Sequence, residues 1–419
     1  MQSLKTLHVI GSMNPVTGGP CQGLRNSIPD LISFGFNNEV ATFDDPSVAT
    51  SWTDHFPVHY MGPANNPWRY SAKMGSWLNE NIARFNIVLI HGLWLYHSQA
   101  TLRAVVRQRR ITSSLVPKVF LMSHGMLDPW FQKTPTRRLK AWRNCIYWEL
   151  FEKRVVNGVD GILFTAEQEL LLARQSFRGY RPQRELNVGY GVIEPPTQNT
   201  AMDEARLRIC PRSNRFPYLL YISRIHPKKG VDLLLKAYSK LIQEHKPSDR
   251  RIPDLMIAGP NDSPYAKSMI QLATDLNLYV ASDDTNVNQP SVYFTGLLLG
   301  DAKWGAFFGC EAFILPSHQE NFGIAVAEAL ACGKPVLISN QVNIWREIES
   351  EHGGLVEPDT VEGTYRLLKQ WVELDDTRRS EMARDARACY EKHFDTSAST
   401  YRMAEALRGS TESIVEGKH

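Results

Sequence analysis

Two carboxylates, Glu320 and Glu328, are separated by seven residues in the stretch Ala312 to Pro335, which reads AFILPSHQENFGIAVAEALACGKP. The apolar run Phe313 to Leu315 reads as a strand, the polar residues to Asn321 as a loop, and Phe322-Gly323 as the start of a helix that stops at Gly333-Lys334-Pro335. If the chain between the glutamates is mostly helical, a rise of ~1.5 Å per residue sets their carboxylates on the order of 12 Å apart, so one extended ligand can touch both. Asn321, Phe322 and Gly323 would then offer backbone N–H groups at a helix start, which favours oxyanions. Read from spacing alone, an ordinary helix glutamate at 328 and an ordinary first-turn acid at 320 fit as well.

Two cations, Arg224 and Lys229, lie in Ser223-Arg224-Ile225-His226-Pro227-Lys228-Lys229-Gly230, just past the apolar run Tyr218 to Ile222. Fixed cations there would neutralise a diphosphate leaving group as its charge develops; a solvated basic loop is the plainer reading. Gly18 and Gly19 open a helix after the first strand and would let backbone approach a phosphate or sugar closely, although a simple tight turn explains them too. The loop is not G-x-G-x-x-G, which disfavours a nicotinamide cofactor, and no other cofactor is expected. His124 follows the apolar run Lys118 to Met122, a place where a histidine often only caps its neighbours. Asp-x-Asp occurs nowhere in the chain.

These residues need rigid carriers. Thr6 to Ile10, Val40 to Phe43, Ile87 to Ile90, Lys118 to Met122 and Gly161 to Phe164 read as buried strands of a parallel sheet, with helical patterns between them. A second alternation runs through Tyr218 to Ile222, Leu255 to Ala258, Val292 to Phe294, Phe313 to Leu315 and Val336 to Ile338. Between the two series, Tyr190 to Thr197 carries Gly and Pro suited to a linker. The expectation is an α/β chain of two Rossmann-like domains, residues 1–193 and 194–395. Lys246 to Pro253 and Ser282 to Ser291 read as surface loops.

A length of 419 residues suits two domains. A net charge of +3 is too small to argue for nucleic acid. Six cysteines, Cys21, Cys145, Cys210, Cys310, Cys332 and Cys389, lack paired spacing and read as reduced thiols in a cytoplasm. There is no secretory signal pattern and no run of ~20 apolar residues. The segment Trp130 to Arg154 interleaves aromatic and basic residues, and reads either as a core helix with a solvated basic face or as a contact for an anionic membrane surface or lipid-diphosphate acceptor.

Glu-Asn-Phe-Gly, then Ala-x-Ala-Glu-Ala, then Gly-Lys-Pro-Val, resembles the signature of retaining glycosyltransferases of GT-B fold, the family 4 type (group 1), here in a polysaccharide-biosynthesis setting. The resemblance is strongest from Tyr218 to Pro358. It implies two Rossmann-like domains facing across a cleft, with the last helix, around Thr396 to Leu407, crossing back to the first. It implies that Glu320 holds hexose hydroxyls, that Glu328 holds the ribose, and that His124 faces the donor hexose. Arg224, Lys229 and the amides of Gly19, Phe322 and Gly323 would hold the diphosphate, with Gly18 beside them. The base would be read near Thr295-Gly296-Leu297. The expected activity is metal-independent hexosyl transfer from a nucleotide diphosphate sugar, a UDP-sugar before a GDP-sugar, to a saccharide or lipid-linked saccharide. A sugar-nucleotide epimerase and a non-catalytic nucleotide-sugar binder are the alternatives. The chain departs from the family at Tyr190, which stands where an asparagine usually precedes Gly-Val.

Overall fold

A computed structural model describes residues 3–17, 19–47, 53–111, 116–133, 138–245, 251–281 and 289–412 of the chain. Contacts divide the chain into two units, Met1–Ile193 with Asp395–His419, and Glu194–Phe394.

Among the described residues of the first unit, seven parallel strands lie in the order β3-β2-β1-β4-β5-β6-β7. They are β1 (Leu4–Ile10), β2 (Phe36–Thr42), β3 (Val58–Tyr60), β4 (Ile87–His91), β5 (Lys118–Met122), β6 (Gly161–Phe164) and β7 (Glu185–Asn187). Every residue of β4 is buried, as expected of a central strand covered by helices on both faces. On one face Leu7, Val88, Val119 and Ile162 pack with Met74, Leu78 and Trp148. On the other, Leu89, Phe120 and Leu163 meet Leu31, Ala404 and Leu407, so the helix Thr396–Glu412 is part of this unit's core.

The second unit repeats the plan in the order β10-β11-β9-β8-β12-β13-β14. Its strands are β8 (Tyr218–Ile222), β9 (Asp254–Ala258), β10 (Tyr279–Val280), β11 (Ser291–Gly296), β12 (Ala312–Leu315), β13 (Val336–Ser339) and β14 (Gly354–Glu357). Ser291, read from sequence as loop, is a buried residue of β11. The loop readings at 246–250 and 282–288 lie outside the described residues. Cys21, Cys210, Cys310 and Cys389 are buried and outside any disulfide, while Cys145 is exposed.

The segment that sequence periodicity presents as one helix, Arg137 to Val156, is interrupted: a helix Arg138–Tyr147 passes through a π-helical turn, Trp148–Glu152, into Lys153–Gly158. The wider turn accommodates Glu152, whose buried carboxylate accepts from Trp94 N (2.7 Å) and Ser98 Oγ (3.1 Å).

Candidate functional site

In an open parallel sheet the carboxyl ends of the strands face the ligand, and in the second unit β8 and β12 are hydrogen-bonded neighbours. The loop after β8 carries Arg224 and Lys229; the loop after β12 carries Glu320. The two loops are pinned at Gly230, whose φ of 70° is left-handed and where an added Cβ would lie 2.0 Å from the carbonyl oxygen of Pro316. Only glycine fits such an approach. Further bonds run from His318 N (2.9 Å) and Ser317 Oγ (3.0 Å) to the carbonyl of Lys228. The result is a direct ion pair between Lys229 Nζ and Glu320 Oε2. Lys229 is only 8% exposed, and burial, with the charges of Lys228 and Arg224, pulls its ammonium down to about 7. Arg224 is exposed on the same loop and reaches Lys229 through its field. Glu320 is held by its backbone, N to Gln341 O at 2.9 Å and its carbonyl from Asn343 N at 3.0 Å.

The following helix is Ile324–Ala331, two residues later than sequence suggested, because Gly323 is left-handed (φ 82°) and caps it. Val326 N and Ala327 N turn back to the Gly323 carbonyl at 2.8 and 3.1 Å. Phe322 is a core side chain, edge-on to Phe394 at 5.7 Å, which leaves only its main chain for a ligand. Asn321 is partly buried. Glu328 has a partner that spacing did not reveal: Lys303, on the helix Gly300–Gly309, donates to Glu328 Oε1 at 2.6 Å. Burial raises the Glu328 carboxyl above its ordinary range and Lys303 opposes this. Thr295 and Gly296 end β11, where Gly296 O accepts from Gly259 N at 2.9 Å and from Thr295 Oγ1 at 3.1 Å. Leu297, just beyond, is 61% exposed.

In the first unit His124 sits past the end of β5 in a left-handed turn (φ 49°). Glu169, a buried residue not singled out by sequence, clamps that turn, accepting from Ser123 Oγ (2.7 Å) and Gly125 N (2.6 Å). His124 Nε2 lies 3.1 Å from His91 Nδ1, and His91 Nε2 lies 3.1 Å from His8 Nδ1. Burial lowers His8 and His124 to about 4 and His91 well below its ordinary value. Gly19 opens the helix Gly19–Ser33 and its carbonyl accepts from Tyr190 Oη at 2.7 Å; Gly18 lies outside the described residues. Tyr190, at the position where sequence departs from the family pattern, lies over Gly23, where a Cβ would come 2.1 Å from its hydroxyl oxygen.

Elsewhere on the first unit, Leu139 (86% exposed), Trp142 (69%), Ile146 and Leu150 form an exposed apolar row along one helical face. Beside it is a groove of about 400 Å³ lined by Trp68, Tyr70, Trp142 and Phe151, with Arg143 over the Trp68 ring at 5.7 Å. Among the described residues no helix is long and apolar enough to cross a membrane, and no group of His, Cys, Asp and Glu has a metal-binding arrangement.

The fold is shared with solved proteins. HepE of Anabaena, solved with UDP and glucose, superposes with a TM-score of 0.68 at 18% identity, covering 97% of this chain and all of that one. The sucrose-phosphate synthase of Thermosynechococcus elongatus gives 0.69 at 16% identity, covering 98% of this chain and 100% of that one. In sequence, the D-inositol 3-phosphate glycosyltransferase of Streptomyces bingchenggensis is 27% identical over 217 residues, 49% of this chain and 44% of the relative, so the chain spans under half of that relative's length. The profile of the family described as Glycosyl transferases group 1 matches residues 207–388. The stretch that brings Lys229 to Glu320 and Lys303 to Glu328 is therefore similar to the group 1 glycosyl transferases.

Proposed function

We propose that the protein is a retaining glycosyltransferase that moves a hexose from a nucleotide diphosphate sugar, a UDP-sugar first and a GDP-sugar second, to a saccharide or lipid-linked saccharide, in exopolysaccharide or envelope polysaccharide synthesis. The observation that carries this reading is the contact of Lys229 with Glu320 at the carboxyl ends of adjacent parallel strands. A buried ammonium suits a diphosphate, and the carboxylate beside it suits sugar hydroxyls. In the structure each satisfies the other. A donor's diphosphate takes over Lys229, with Arg224 adding charge, and frees Glu320 for the hexose. The leaving phosphate then helps to deprotonate the acceptor hydroxyl on the same face, without a metal. HepE, with its UDP and glucose, supports the donor class.

The test is a screen of labelled UDP- and GDP-sugars in EDTA. Transfer or slow hydrolysis is the expected result. A new epimer would replace this reading with epimerisation, and binding without turnover would replace it with a binding role. Turnover that EDTA abolishes and magnesium restores would overturn the metal-free assignment.

The two glutamates should differ in kind. With UDP alone, which lacks the hexose, Glu320→Ala should bind as tightly as the parent or more so, since Lys229 is released. Glu328→Ala should bind roughly tenfold more weakly, the loss of one uniform contact. Calorimetric titration of both folded variants decides it, and the reverse order would turn the ligand around along this helix.

The exposed row Leu139, Trp142, Ile146 and Leu150, beside Lys140 and Arg143, supports peripheral contact with an anionic membrane, where a lipid-linked acceptor would reside. Sedimentation with phosphatidylglycerol vesicles should exceed that with phosphatidylcholine, weaken with salt, and be lost in Trp142→Glu. Equal pelleting of that variant would remove the row from any membrane role.

A further inference from the structure

Four polar side chains of the first unit form a diagonal across its sheet. Asn38 on β2 is paired in register with Thr6 of β1, and His8 stands two residues further along β1. His91 on β4 is paired with Ile10, again two residues on, and His124 lies two residues past Met122, the β5 partner of His91. Steps of two residues keep side chains on one face of a sheet, so each strand advances the row toward the carboxyl edge. The row ends at His124, at the edge where ligands bind.

The direction of every hydrogen bond in this row is set from its far end. The Phe36 carbonyl can only accept, so the amide of Asn38 donates to it through Nδ2, at 3.0 Å. Oδ1 of Asn38 is thereby turned to His8 Nε2, at 3.0 Å, and that nitrogen must carry the proton. A neutral imidazole has one donor and one acceptor. Nδ1 of His8 therefore accepts from His91 Nε2–H, and Nδ1 of His91 accepts from His124 Nε2–H, each at 3.1 Å. Burial keeps all three rings neutral near pH 7. His97 donates to the His91 carbonyl at 2.9 Å and holds that residue's main chain. The row is no proton conduit, because the amide of Asn38 at its end cannot take a proton.

We infer that His8 and His91 are positioning residues that fix His124 with its proton on Nε2 and a bare lone pair on Nδ1, so that His124 accepts a hydrogen bond from a saccharide hydroxyl and does not donate to a phosphate oxygen. The saccharide partner rests on the transferase reading; the tautomer does not. The full chain, labelled with ¹⁵N-histidine and free of substrate, tests the tautomer directly. Long-range ¹H–¹⁵N correlations at neutral pH should show Nε2 protonated in His124, whose signals are identified by their loss in His124→Ala. A proton on Nδ1, or a charged ring, overturns the inference. A second arm uses turnover. His91→Leu removes the acceptor and should lower kcat roughly tenfold or more, the scale for outer partners of a functional histidine, with KM little changed. His91→Asn puts a carbonyl oxygen near the lost Nδ1 and should restore kcat to within a few-fold. An asparagine variant as slow as the leucine one overturns the acceptor role. A parent chain that shows the tautomer but transfers no sugar overturns the transferase reading and leaves the assignment of the proton standing.

Discussion

Lys229→Ala should lower kcat about 10²- to 10³-fold, the range for removing one preorganised group that stabilises developing charge. Lys229 is nearly buried and its loop is fixed by the Gly230 approach to Pro316, so the proposed diphosphate would meet it with little reorganisation. The substitution also leaves the Glu320 carboxylate, 23% exposed, without its ammonium. An uncompensated carboxylate repels the ligand that the lysine attracted, and removing one partner of such a pair costs more than removing both. Lys229→Ala should therefore bind UDP more weakly than the double variant Lys229→Ala/Glu320→Ala. Normal turnover in a folded Lys229→Ala chain would take this residue out of the site, and a double variant weaker than the single would show that the two do not compete.

Acid should unfold the first unit well before the second. His8 and His97, each 1% exposed, are held neutral with pKa values lowered to about 4 by burial, and His91 and His124 are lowered for the same reason. The unfolded chain protonates its histidines near 6.5, so between about pH 6.5 and 4 the unfolded state binds more protons, and stability rises with pH across that window. At pH 5 a histidine lowered to about 4 costs ~2 kcal/mol relative to neutral pH; the others add in the same direction, and the buried Glu152, raised to about 7, offsets part of this. Among the described residues the second unit buries no histidine, which makes it an internal control. Hydrogen exchange at pH 7 and pH 5, corrected for intrinsic rates, should show amides of β1, β4 and β5 losing protection while those of β8, β9 and β12 keep theirs. Equal protection in the two sheets at pH 5 would mean that the histidines are accommodated as cations.

Central strands were legible in sequence because burial on both faces turns them into unbroken apolar runs; β5, β6 and β8 begin and end where those runs do. The edge strands were not, since Val58–Tyr60, Glu185–Asn187 and Gly354–Glu357 are half-buried and mixed in polarity. Among the candidate residues, Lys229 and Glu320 were singled out by their motifs, although their pairing was not. Lys303 was not, because its pairing with Glu328 depends on how two helices lie side by side and leaves no periodic trace. His8 was hidden inside an apolar run, where it read as a strand residue, and His91 follows another run by one residue without any pattern of its own. Their partnership is created by strand order, which brings residues 83 positions apart to 3.1 Å.

The seat of Tyr190 over Gly23 reaches into inheritance. No side chain at position 23 can coexist with the tyrosine as it stands, since even a methyl group would overlap its hydroxyl. A side chain at 23 would therefore force Tyr190 to move, while a smaller residue at 190 would lift that constraint. The two codons should drift as a pair across descendants of this gene, and lineages bearing asparagine at 190 should be the ones in which position 23 varies freely.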